Sequence, residues 1–215
     1  MIAAVANCPH PPLLLDGVTG RPVAEVEQLR AACLTAIEAM VSAAPTEILI
    51  IGGATPTELD KPVSVLVGRL LLARAECPLP VDQLVVPAET PTERCLWIGR
   101  EAASRKARTG LLVMGDGSAR RSVRAPGYLD GRAAPFDAAV ERAFAGADPA
   151  GLAALDADLA AELLVAGRAA WQVLAGAMIA RAAGAFAATV HYAADPFGVW
   201  YPVVSWVPSI GSVSD

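Results

Sequence analysis

Histidine is scarce in this chain of 215 residues: His10 and His191 are the only two, so chemistry that needs three imidazoles from one chain is excluded. Charge is scarce as well. Only 18% of residues are charged, 17 basic against 22 acidic, and the net charge of −5 offers no general attraction to nucleic acid or anionic lipid. The four cysteines, Cys8, Cys33, Cys77 and Cys95, form no C-x-x-C pair, whereas tetrahedral zinc usually announces itself by close ligand pairs. They are expected to be reduced thiols, with Cys33 in a helix core. A long uninterrupted apolar run is missing too. Mean hydropathy is +0.45, yet the longest uncharged stretch, Pro196 to Ser214, is broken by Gly198, Pro202, Pro208 and Gly211 and cannot form one spanning helix. Met1 to Ala6 has no basic region before it and is unlike a secretory leader. A cytoplasmic protein with no membrane or nucleic-acid partner is expected.

What the chain has in excess is apolar material, 54% of residues, much of it alanine. That excludes disorder and supplies a core for one domain spanning 1–215. Strands and helices alternate. Ile2 to Ala6 reads as a buried strand. Val23 to Ala44 reads as a helix with Val26, Leu29, Ala32, Cys33, Ala36, Ile37 and Met40 on one face, ended by Pro45. Glu47 to Ile51 is a second strand, closing on Gly52-Gly53, with a loop from Ala54 to Pro62. Val81 to Val86 is a third, Thr92 to Ala107 a helix with Thr92 as its N-cap, and Leu111 to Met114 a fourth strand closing on Gly115-Asp116-Gly117-Ser118. A polar segment rich in arginine, Ala119 to Arg132, precedes helices at Pro135 to Ala145, near Pro149 to Leu155, and at Leu159 to Ala183 with Gly167 as a possible break. Two strands, Ala187 to Tyr192 and Val199 to Trp206, close the chain around an Asp-Pro turn. Continuous aliphatic strands suit a mostly parallel sheet covered on both faces, so the class is α/β.

In such sheets ligands bind beyond the carboxyl ends of strands, which directs attention to Asn7 to Pro12, Gly52-Gly53 and Gly115 to Ser118. The glycines either open a pocket or simply turn the chain. Arg120 and Arg121 either hold an anion or are solvated or paired with Asp116 and Asp130; the loop matches neither the Walker nor the dinucleotide fingerprint. Ser118 lies in no nucleophile elbow. His10, fixed between Pro9 and Pro11, suits a ligand or a base, or else a loop histidine bonded to a carbonyl.

Several of these segments together resemble the catalytic B subunit of class III extradiol ring-cleavage dioxygenases. The residues that carry the resemblance are Cys-Pro-His-Pro-Pro-Leu-Leu-Leu from Cys8, Ile-Leu-Ile-Ile-Gly-Gly from Ile48, Leu-Leu-Val-Met-Gly-Asp-Gly-Ser from Leu111, and Ala134-Pro135-Phe136-Asp137 leading through Phe144 and Asp148-Pro149 to Leu152. Trp171 to Met178 and Thr189-Val190-His191 continue it. The resemblance implies an α/β fold, non-haem Fe(II) on two histidines and a glutamate, and a further histidine as acid/base in catechol cleavage. His10 matches the first ligand. The loop Gly52 to Pro62 contains no histidine, the acid/base position falls at about Ala119, and the glutamate position falls at Ala169 or Ala170.

Three readings follow. In the first, the family's iron site is degenerate, no cofactor is expected, and a crevice lined by Asn7, His10, Gly53, Asp116, Ser118, Arg120 and Tyr128 binds a small polar or aromatic molecule. The second is an active dioxygenase holding Fe(II) on a rearranged set such as His10, Glu58 and His191. The third is an interaction subunit, including a homo-oligomer, that uses Trp200, Tyr201 and Trp206, residues that otherwise belong to the core.

Overall fold

A computed structural model describes residues 1–18, 20–55, 61–180 and 185–209. Six strands form one mixed sheet that includes both ends of the described chain, with a hydrophobic cluster on each of its faces. The strands are β1 (Ile2–Cys8), β2 (Glu47–Ala54), β3 (Val81–Pro87), β4 (Thr109–Met114), β5 (Phe186–Ala194) and β6 (Tyr201–Pro208), in the order β3-β2-β4-β1-β6-β5. The first four in that order run parallel; β6 is antiparallel to β1, and β5 to β6. The sheet is therefore α/β with an antiparallel margin rather than parallel throughout.

The aliphatic runs are buried on both faces, as their composition demands. Ile48, Ile50, Leu112 and Met114 pack with α1 (Ala24–Ser42) and α2 (Val63–Arg74) on one face. Leu49, Ile51, Leu111 and Val113 pack on the other with α3 (Thr92–Ala103), α4 (Ala133–Ala145), α5 (Pro149–Ala153) and α7 (Arg168–Ile179). Between α5 and α7 lies α6 (Ala157–Glu162). Among the described residues no helix is long and apolar enough to cross a membrane.

Two expectations are corrected and a third is met. Helix α2 occupies a stretch to which the sequence reading assigns no element; its apolar residues surround most of the helix, so it carries little amphipathic signal. Thr92 is the first helical residue, after Pro91, and caps nothing with its side chain. The break expected at Gly167 is present: α6 and α7 are separate helices, with Gly167 as the N-cap of α7 and Leu164 between them at a positive φ of 57°.

Candidate functional site at the carboxyl ends of β1 and β4

Strand order decides which loops meet. Because β4 lies beside β1, the Gly115 N–H donates to the Cys8 carbonyl at 3.0 Å. The start of α7 closes on the same place, the Gly167 N–H donating to the Asp116 carbonyl at 2.8 Å. The chain entering β6 joins them through the Gly117 N–H, which donates to the Trp200 carbonyl at 2.7 Å.

His10 and Asp116 face each other here. The His10 backbone N–H donates to Asp116 Oδ1 at 2.6 Å, and ring Nδ1 lies 3.4 Å from the same oxygen. Nδ1 is buried and makes no hydrogen bond, so the ring contact is electrostatic while the backbone bond fixes the carboxylate. The two side chains are 11% and 13% exposed, so a little of each reaches solvent. The charge of Asp116 also reaches the buried Tyr201, whose phenol is pushed above its ordinary range, first by burial and then by that charge.

The other candidates are drawn into holding the loops together. Asn7 is fully buried: its amide donates to the Pro202 carbonyl and its oxygen accepts from Trp171 Nε1, both at 2.8 Å. A Cβ on Gly115 would lie 2.4 Å from that same Nε1, so this glycine admits the indole rather than opening space. Gly53 likewise lies under the Ala166 carbonyl, 3.0 Å from where its Cβ would be. Ser118 is fully buried, and both its N–H and its hydroxyl donate to Asp137, at 3.0 and 2.6 Å. Arg120 Nη1 donates to the Gly127 carbonyl, which ties its own loop together, and its Nε is buried without a partner. Tyr128 is 63% exposed at a positive φ of 61°, on the outside of that loop. Of the seven crevice residues, only His10 and Asp116 come together as reactive groups.

The expected partners of the arginines also change. Asp116 faces His10 and Asp130 pairs with Arg132, while Arg121 Nε reaches Asp195 at 2.8 Å and Asp137 at 3.8 Å. Asp137 is the residue the sequence reading leaves without a role. It is 2% exposed on α4, and burial raises its carboxyl above the usual value against the opposing pull of Ser118 and Arg121. A readable signal exists: Asp137 stands four residues after Ala133 and three before Val140, in the buried stripe of its helix.

The iron positions can be compared with these donors. Ala119 donates its N–H to the Leu163 carbonyl, and Ala169 and Ala170 are 2% and 0% exposed within α7. His191, on the edge strand β5, has its Nε2 2.8 Å from Ser205 Oγ of β6. With strands about 4.8 Å apart, β5 runs roughly 10 Å to the side of β1, which separates His191 from His10. Glu58 lies outside the described residues. Among the described residues no three His, Cys, Asp or Glu side chains gather as metal donors. The donors gathered here among the described residues, one imidazole and one carboxylate already engaged by a backbone N–H, do not fit a site of two histidines and a glutamate.

No family model and no curated protein matches the chain. Among solved structures it is similar to an uncharacterized protein, JW3007, from Escherichia coli K12, with a TM-score of 0.56 and 13% sequence identity over 95% of this chain and 99% of that one. At that identity the similarity concerns the fold alone.

Proposed function

We propose that this chain is a homologue of the class III extradiol dioxygenases that has lost the family's iron site and binds a small polar or aromatic molecule beside His10 and Asp116, with altered chemistry or none. The observation that carries this reading is the His10–Asp116 pair, held by Pro9, Pro11 and a backbone hydrogen bond, at a strand end where the other ligand positions that fall within the described residues are alanines. Nδ1 is the ring nitrogen turned toward Asp116, which leaves Nε2 as the one available to a ligand. Such a ring can accept a proton from a phenol or enol hydroxyl, or bind one without turnover.

Oxygen uptake after anaerobic Fe(II) reconstitution, with a panel of catechols and a His10→Ala control, tests this. The proposal expects no uptake above the control, together with a phenol that shifts the His10 resonance in an NMR titration; with only two histidines the assignment is direct. One tightly bound Fe(II) per chain with His10-dependent uptake would establish the metal-dependent alternative instead. The interaction-subunit reading loses its motive, because Trp200, Tyr201 and Trp206 are 3%, 3% and 1% exposed and belong to the core.

A further inference from the structure

Arg168 is 5% exposed, and arginine is seldom buried so deeply without a carboxylate. Its hydrogen bonds go to neutral acceptors. Nη1 donates to the Thr90 carbonyl and to Gln172 Oε1, the latter at 3.1 Å, with Cys95 Sγ at 3.8 Å, and Nη2 donates to the Ala88 carbonyl. A guanidinium carries five N–H donors, so Nε–H and one Nη2–H find no acceptor among the described residues. These two nitrogens form the edge of the guanidinium that grips a carboxylate in two parallel hydrogen bonds. No Asp or Glu of the described residues lies within ion-pair distance of it.

This arginine lines a groove of about 470 Å³ at the carboxyl ends of β2 and β3, whose described lining includes neither His10 nor Asp116, although Gly167 beside it donates to the Asp116 carbonyl. Ala157, Ala161, Leu164 and Val165 make the groove largely apolar. Arg168 is also the first residue of α7, so the positive end of that helix lies at the same point. Glu89 and Asp158, both exposed, stand at the rim and disfavour anions of high charge.

We infer that this groove is a binding site for a small monocarboxylate with an apolar body. The carboxylate takes the free edge of Arg168 and compensates its buried charge, and the apolar body lies along the alanines of α6. The site does not depend on His10, so it stands or falls separately from the proposed function.

Titration of the full chain with benzoate tests it by calorimetry and amide NMR, with benzamide and inorganic phosphate as controls at matched ionic strength. Saturable benzoate binding is expected, with benzamide and phosphate at least about tenfold weaker. Arg168→Gln should lose the preference for benzoate over benzamide. Because that substitution also cuts the braces to Ala88 and Thr90, a second variant, Ala161→Trp, fills the groove from the exposed face of α6 with the guanidinium intact, and it too should abolish binding. Equal binding of benzoate and benzamide, benzoate binding that survives Ala161→Trp, or no saturable binding at all would overturn the inference.

Discussion

Removing either partner of the Ser118–Asp137 pair should cost more than an ordinary surface hydrogen bond, because both are within 2% of full burial and neither can turn to water. Asp137 accepts two hydrogen bonds from one residue and so fixes the loop that begins with Asp116. Hydrogen bonds to a charged acceptor contribute about 1.5–3 kcal/mol each, and a buried donor left without an acceptor costs about 1–3 kcal/mol. Asp137→Ala strands both buried donors of Ser118, while Arg121 keeps Asp195 at 2.8 Å, so a loss of about 3–5 kcal/mol is expected. Ser118→Ala removes only the hydroxyl and keeps the N–H bond, so about 1.5–3 kcal/mol is expected. The double variant should fall short of the sum by about 1–2 kcal/mol. Urea denaturation of the four proteins measures this coupling. Additivity within about 0.5 kcal/mol would refute the reasoning, since it would mean that the two groups do not share an interaction. The pH dependence has a definite sign. Burial raises the Asp137 carboxyl above its ordinary value of 3.8, so the folded chain favours the protonated form; that contribution is full below 3.8 and is lost as pH rises through the folded value. Asp137→Asn cannot ionise, so the wild type should lose stability relative to it across that window and run parallel above it.

Trp171→Phe removes the indole donor and leaves the buried oxygen of Asn7 without a partner, so chemical denaturation should report a loss of about 1–3 kcal/mol; an unchanged midpoint would argue against this tie between β1 and α7. Asp130, held by Arg132 down to about 2 from the usual 3.8, contributes stability that is full above 3.8 and fades as pH falls toward 2. Arg132→Ala should remove that acid-side dependence, read as a flatter profile of melting temperature against pH. Asp148→Ala deletes the side chain that accepts the Ala150 N–H at the start of α5 and should cost about 1 kcal/mol in the same denaturation assay.

Elements whose signal is local were legible. The aliphatic runs ending in glycine became β2 and β4 with little change, and the Asp-Pro turn before Gly198 joins β5 to β6, with Gly198 at a φ of 74°. Burial on both faces needs only a run of apolar residues, and a positive φ needs only a glycine. Helix α2 escaped because its sequence, Val-Ser-Val-Leu-Val-Gly-Arg-Leu-Leu-Leu, is apolar around most of the helix and rich in β-branched residues. The split between α6 and α7 was legible at Gly167, which precedes α7, while the residues that hold the break came from elsewhere in the fold, Ala119 donating to the Leu163 carbonyl and Gly167 to the Asp116 carbonyl.

By itself the sequence determined the class of fold, the loops that follow the carboxyl ends of the strands, and the small number of histidines available to them. Each of these follows from composition or from patterns within about twenty residues. Which side chains in those loops are free, and which are spent on structure, was decided only by tertiary packing. Asn7 and Trp171 are 164 positions apart, and His10 and Asp116 are 106 apart. Their pairing follows from β4 lying beside β1 and from α7 starting above both, which no local pattern records. A buried polar group must find its partner wherever the chain brings one, and that requirement turned Asn7 and Ser118 into braces and left His10 facing a carboxylate.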